Sequence, residues 1–520
     1  MMSLNAMPGS AAVLDLETAT ILDLQKAYDS GLSAEKVVQA YLKRIEAYDK
    51  AGPKLNAIIT LNGKALETAR ALDKERREKG PRSLLHGVPI LVKDNYDTFD
   101  LPTTGGSKAL AGSKPMYDAF TVRKLREAGA IILAKTNLDE FARGGTGTSS
   151  LGGQTLNPYN LTKIPGGSSA GSAAGVAALF GQAGLGTETG SSIRHPSTKN
   201  NLVGFSPSQG LVSRQGILPI SITYDRGGPL ARNVTDAAIV MSYMAGTDAA
   251  DLFTLASLGK VPTDHYLSSL KKDGLKGARI GVLRDLFGRD EDDKPALALV
   301  EKAIATLRSH GATVIDPLDP GVDLWATLRD TNAGNGEYRQ AINAYFAARG
   351  SATPVHNLAE LIASKGYLGR LTKNYQESDA VQEMTFNADY IGRYQGKLVL
   401  RERIQSLMEL WKLDAVVYPF ETKPAKTIDE AAPNHGETVV DNDGNRIRGS
   451  GNRLSTVTSL PTIVVPVGFN IDGVGVGMEF LGKIYDEPTL VRLAYAFEQA
   501  APNRKLPPTT PLLGVEKISY

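Results

Sequence analysis

The chain has 520 residues, 42% hydrophobic and 22% charged, with a formal net charge of +2. That is an ordinary soluble composition, long enough for one very large domain or two to four ordinary ones, with no electrostatic footprint for nucleic acid. It has no cysteine and six histidines, His86, His195, His265, His310, His356 and His435, which excludes disulfides, thiolate catalysis and cysteine-ligated metal and offers no zinc-site spacing.

Met1 to Ser10 lacks the basic start and long apolar core of a signal peptide, so the cytoplasm is the expected compartment, with a removed leader still allowed. Leu14 to Lys50 reads as helical, broken at Gly31, with Ser33 as an N-cap and Lys36 where a capping box would have glutamate. Ala57 to Leu61 reads as a strand, and Gly63 to Lys79 as a charged helix ended by Gly80-Pro81. The apolar run Val88 to Val92 is a strand that delivers Lys93 at its end. From that segment alone, Lys93 is expected to snorkel to solvent.

Ala119 to Ala128 is a helix closed by Gly129, and Ala130 to Ala134 a strand. Lys135 to Phe141 is expected to turn into a helix start, and Gly144 to Ser150 to form a mobile polar loop. Strand, Gly/Ser loop and helix recur, which indicates an α/β layered fold. Ile164 to Thr187 holds no charge, seven glycines and one proline. The glycines argue against a membrane span, and the run Ala173 to Phe180 argues against a flexible linker and for a buried helix. Such small residues let backbones crowd around one reacting atom.

Asn201 to Ile220 carries turn signals, and Thr235 to Ala245 is a helix. Ala278 to Leu283 and Ala312 to Ile315 are strands flanking a helix, Pro295 to His310. Asp323 to Leu413 is mainly helical and rich in aromatics, among them Trp325, Tyr338, Tyr345, Tyr375, Tyr390 and Tyr394. Most are expected to pack between helices, and a minority to wall a pocket. Asp414 to Pro419, Pro461 to Phe469 and Gly477 to Gly482 read as strands. Glu430 to Ser450 is a polar loop and Glu487 to Ala500 the closing helix.

Three chemistries compete for the Gly/Ser stretch. A phosphate-binding loop needs a lysine and a hydroxyl after the last glycine, and Gly171 is followed by Ser172-Ala173 instead. A nucleophile elbow matches Gly167-Ser168-Ser169-Ala170-Gly171, as in an α/β-hydrolase-like serine esterase, but no long apolar strand precedes it. His195, three residues after Ser192, reads as a packed or solvated histidine rather than a base.

The third combines three segments. Gly87 to Asp94, Gly166-Gly167-Ser168-Ser169 and Gly190-Ser191-Ser192-Ile193-Arg194 together resemble the amidase signature family. Lys135-Thr136-Asn137 and Pro461 to Phe469 resemble further segments of it. The similarity covers about Leu14 to Gly246 and Arg453 to Ala500. It implies a single α/β/α domain over 1–520, with a large twisted mixed sheet covered by helices on both faces. Within it, 1–80 would be an N-terminal helical region, 81–320 the catalytic core, 321–450 a helical pocket-forming segment and 451–505 the C-terminal core.

The resemblance also implies a Ser-cisSer-Lys triad: Ser192 as nucleophile, Ser168 in a cis peptide as relay, and Lys93 as base. Backbone N–H groups of Thr189, Gly190, Ser191 and Ser192 would form the oxyanion hole, with Ser192 at a helix start. A lysine has a reference pKa of about 10.4 and must be brought to about 7–8 to act as base near neutrality, a change of roughly 4 kcal/mol. Ala170 and Ser191 stand where the family usually has glycine. If position 191 needs positive φ, its side chain adds strain.

The implied activity is cleavage of the acyl C–N bond of amides, extending to carbamates and esters, through an acyl-enzyme. No metal or organic cofactor, nucleic-acid partner or membrane span is implied. The substrate is expected to be a small molecule, bulky and apolar or aromatic. Lys135 to Phe141 also resembles the subunit of a transfer-RNA amidotransferase that works with partner chains, which is the main rival reading. A binding protein with a decayed site ranks last, since all three triad positions are intact.

Overall fold

The computed structural model describes residues 12–331, 334–381, 383–431 and 451–520. Beyond Ala431, the expected polar loop up to Ser450 lies outside them. Strands in chain order are β1 Val13–Asp15, β2 Ile58–Leu61, β3 Pro89–Lys93, β4 Ile131–Thr136, β5 Thr148–Ser149, β6 Gly153–Gln154, β7 Ala183–Glu188, β8 Val203–Ser206, β9 Arg226–Ala231, β10 Arg279–Val282, β11 Thr313–Ile315, β12 Ala415–Pro419, β13 Thr462–Phe469, β14 Gly475–Leu481 and β15 Lys517–Ser519. Eleven of them form one mixed sheet in the order β11-β10-β12-β14-β13-β8-β9-β7-β3-β4-β2. β3 runs parallel to both β4 and β7, while β9 is antiparallel to β7 and β8.

Every residue of β3, β4, β7, β9 and β12 is buried. Side chains of a strand alternate between faces, so both faces of the sheet centre are covered by helices. This is the α/β/α arrangement expected. Helix Glu487–Ala500 has the bounds expected of it, and Ser33 Oγ accepts from Lys36 N at 3.2 Å as the N-cap of Ala34–Tyr48.

The sequence reading missed β7 and β9. Their residues, Ala-Gly-Leu-Gly-Thr-Glu and Arg-Gly-Gly-Pro-Leu-Ala, lack the β-branched runs that mark a strand. Here glycine serves close approach. Helix Ala170–Ala177 lies against β7 so tightly that a Cβ on Gly184 would stand 3.1 Å from Val176 and 3.2 Å from Ser172. A Cβ on Gly171 would stand 2.3 Å from the Ala57 carbonyl oxygen.

Two local expectations are corrected. Lys135 and Thr136 do not begin a helix; they end β4, because the Lys135 ammonium is tied inward to the carbonyls of Tyr96 (2.8 Å) and Pro102 (2.9 Å) and the Thr103 hydroxyl (2.8 Å). Phe141 and Ala142 then take left-handed φ of 53° and 58° in a tight turn. Gly144 to Ser150 is a structured turn wrapped on Asp139, whose carboxylate accepts from Thr146 N and Gly147 N, each at 3.0 Å. Thr148–Ser149 pairs with Gly153–Gln154.

Candidate active site

Lys93 closes β3 and Glu188 closes its parallel neighbour β7, so both open on the carboxyl edge of the sheet, where open α/β sheets collect ligands. Lys93 is fully buried. Its Nζ donates to Ser168 Oγ at 2.8 Å and to Thr187 Oγ1 at 2.9 Å. The snorkelling expectation therefore fails: the apolar run Ile90 to Val92 carries the amine into the core, where hydroxyls meet it.

The Gly167–Ser168 peptide bond is cis. Ser168 O accepts from Asp139 N at 3.1 Å, and Gly167 N donates to His195 Nδ1 at 3.3 Å. His195 is 2% exposed, so it is a packed histidine that supports this peptide. Ser169, the central serine of the G-x-S-x-G match, faces away from any cavity role. It is fully buried, its Oγ donates to the Ser192 carbonyl at 2.5 Å, and it accepts from Thr187 N at 3.3 Å.

Ser192 is 7% exposed, whereas Ser168 and Lys93 are at 0%. Ser192 lies at the start of helix Arg194–Lys199, as expected: His195 N donates to the Ser191 carbonyl at 2.7 Å, and Pro196 has no N–H to give to that of Ser192. The turn bearing it is folded around one carboxylate. Glu188 Oε2 accepts from Ile193 N (3.0 Å) and Arg194 N (3.1 Å); Oε1 accepts from Arg194 Nε (2.9 Å) and Ser206 Oγ (2.9 Å). Arg194 continues to Glu479 at 2.9 and 3.0 Å. Burial alone would raise the Glu188 pKa, but Arg194, Arg226 and the two backbone donors hold it below the usual carboxylate range. Glu479 goes the other way: burial raises it, and Arg194 only partly offsets that.

Arg194 Nη2 and Thr456 Oγ1 both donate to the Gly190 carbonyl, at 2.7 and 2.9 Å. The C=O and N–H of a trans peptide point oppositely, so this anchor turns the Ser191 N–H to the other side of the turn. Ser191 keeps φ outside the positive region, so its side chain costs no backbone strain. Ala170 is accommodated by a glycine opposite, since a Cβ on Gly147 would meet its methyl at 3.0 Å.

Beside the site lies a cavity of about 400 Å³ whose walls include Thr187, Thr189, Ile220, Ala344 and Tyr345. As expected of the Trp325 to Tyr394 segment, most of its aromatics pack between helices and a minority walls the cavity: helix Tyr338–Arg349 lines it mostly with alanines, and Tyr345 is the one aromatic side chain in the lining. Tyr338 and Tyr375 instead stack on each other at 5.7 Å, and Trp325 Nε1 donates to the Asp285 carbonyl at 2.9 Å. Thr187 and Glu188 were given no role by the sequence reading. A buried hydroxyl or carboxylate leaves no periodic signal.

A family model described as Amidase matches residues 36–491. The chain belongs to the amidase family. A native peptide amidase from Stenotrophomonas maltophilia superposes with a TM-score of 0.84 at 38% identity, covering 94% of this chain and 98% of that one. A probable amidase from Arabidopsis thaliana is 34% identical over 524 residues, 96% of this chain and 93% of the relative. A glutamyl-tRNA(Gln) amidotransferase subunit from Thermosynechococcus vestitus is 33% identical over 477 residues, 90% of this chain and 95% of the relative.

This amidase is an amide-hydrolysing enzyme acting on small molecules. Among the described residues, the one acidic trio spaced for a metal, Asp290, Asp292 and Asp293, surrounds the Lys423 ammonium at 2.5, 2.6 and 3.0 Å. No described helix is long and apolar enough to cross a membrane.

Proposed function

We propose that this amidase cleaves the acyl C–N bond with Ser192 as nucleophile, Ser168 as proton relay and Lys93 as base. The observation that carries the reading is the 2.8 Å hydrogen bond between Lys93 Nζ and Ser168 Oγ in a fully buried setting. An ammonium removed from water forfeits its hydration, which favours the amine that a base requires. Ser192 Oγ gives its proton to Ser168, which passes its own to Lys93, as the oxygen attacks the carbonyl carbon. Backbone N–H groups of Thr189, Gly190, Ser191 and Ser192 face the oxyanion, each donor worth about 3 kcal/mol in the transition state. The proton returns through Ser168 to the leaving nitrogen, the C–N bond breaks, and water releases the acyl group by the same relay. The neighbouring cavity favours an apolar acyl or amine group, and a carbamate or ester presents the same carbonyl to attack.

The test is a panel of a peptide amide, an anilide, an aryl carbamate and an ester, run with wild type, Ser192→Ala, Ser168→Ala and Lys93→Ala. Wild type is expected to prefer an amide by kcat/KM. Ser192→Ala should lose activity by about 10⁴-fold or more, and with it phosphonylation of position 192 by a fluorophosphonate, read by mass spectrometry. Full activity in Ser192→Ala or Lys93→Ala would remove the proposal. The identity to an amidotransferase component supports a second reading, in which the chain passes ammonia to partners. Rapid amide hydrolysis by the isolated chain would set that reading aside.

A further inference from the structure

Glu337 is a fully buried carboxylate contributed by the helical segment, at the end of the short turn Gly334–Glu337. It collects four donors. Ser221 Oγ (2.5 Å) and Thr223 N (2.8 Å) meet Oε2; Tyr390 OH (3.0 Å) and Thr223 Oγ1 meet Oε1. Lys397, also buried, donates to the Thr223 carbonyl, and its Nζ lies 3.9 Å from the centre of the Tyr224 ring. Residues 221–224 are thus held on both their N–H and C=O sides by side chains from the middle of the chain.

The held segment leads to the oxyanion turn. Asp225 Oδ2 accepts from Ile220 N at 2.7 Å and Ser221 N at 2.9 Å, while Oδ1 accepts the Thr189 hydroxyl. Ile220, Ser221, Ile222, Asp225 and Thr189 all line the 400 Å³ cavity. A continuous set of short hydrogen bonds therefore runs from Glu337 through Ser221 and Asp225 to Thr189.

We infer that Glu337 is a positioning residue: acting through Asp225, it fixes Thr189 and so the N–H groups of the turn that bears Ser192. The inference rests on the oxyanion reading above. Glu337 touches no substrate. Its effect falls on the geometry of the transition state, where a displacement of about 1 Å costs about 10²-fold in rate. A carboxylate suits the task, because four donors converge on it and a carboxylate only accepts. A glutamine would turn an NH₂ toward at least one of them.

The experiment is a double-mutant cycle in the full chain with an anilide substrate: Glu337→Gln, Thr189→Val and the pair, with Ser192→Ala as reference. Each single variant is expected to lower kcat by about tenfold or more while KM stays within about threefold. The double variant should be no slower than the slower single, since both cut one relay. Should Glu337→Gln fail to fold by circular dichroism, Ser221→Ala takes its place in the same cycle. Multiplicative losses, a change in KM alone, or unchanged kcat in Glu337→Gln would overturn the inference while leaving the triad intact. Activity surviving in Ser192→Ala would instead overturn the reading beneath it.

Discussion

Glu188→Gln tests whether the turn that carries Ser192 is shaped by one buried charge. In the wild type the Glu188 carboxylate receives four close donors, two backbone and two side-chain, at 2.9–3.1 Å, with Arg226 at 3.4 Å. Glutamine keeps one oxygen. If that oxygen serves Ile193 N and Arg194 N, its NH₂ confronts Arg194 and Ser206; in the other rotamer it confronts the two backbone donors. Either way at least one hydrogen bond is lost, since the Ser206 hydroxyl can turn to accept from the NH₂ but Arg194 and the backbone N–H groups cannot, and Arg194 and Arg226 lose the negative charge that lies between them. Removing one partner of a buried ion pair costs about 3–5 kcal/mol. Both effects fall on residues 193 and 194, next to Ser192. The urea midpoint, converted with the measured m-value, should report a loss in that range. In buffer, where the protein remains folded, kcat should fall by about 10²-fold or more with KM little changed. A loss below about 1 kcal/mol with kcat within twofold of wild type would refute the claim that Glu188 shapes the turn.

Two further outcomes follow from the same coordinates. Ala344→Phe fills part of the cavity beside Thr187 and Thr189; kcat/KM for an anilide should drop at least tenfold while acetamide turnover stays within about twofold, and equal losses for both would show that the cavity does not hold substrate. Asp236 is fully buried and burial pushes its pKa up to about 6, against the Ile21 N–H, Arg232 and the Gln182 amide. Its native pKa lies above its unfolded value, so the folded state holds a proton that unfolding releases between about pH 4 and pH 6. Stability should therefore fall by about 3 kcal/mol over that window and stay level above it. Asp236→Asn should flatten this component; urea midpoints for variant and wild type that move in parallel from pH 4 to pH 7 would contradict the assignment.

Local composition by itself determined a good deal here. The short apolar runs at Ile90 to Val92 and Ile131 to Ala134, each preceded by a glycine a few residues back, read as buried strands, because such runs have no solvent face and are too short for a helix. Helices Ala34–Tyr48 and Glu487–Ala500 were legible from their period and, for the first, from its serine cap. The motifs around Lys93, Ser168 and Ser192 carried the resemblance to a family, and the match over residues 36–491 bears that resemblance out.

Tertiary structure decided the rest. β7 and β9 are strands because helix Ala170–Ala177 and the neighbouring strands close on them, overriding their weak local preference. From its own segment Lys93 read as a solvent-seeking strand end, and only the resemblance joined it to Ser168; the fold brings Ser168 and Thr187, 75 and 94 residues away, within hydrogen-bond reach of it. The charges that hold the Ser192 turn lie still farther apart in the chain, with Arg194 and Glu479 separated by 285 residues. Hydrophobic periodicity records which face of an element meets the core. It says nothing of which distant hydroxyl or carboxylate will be waiting there, and that is what places the chemistry.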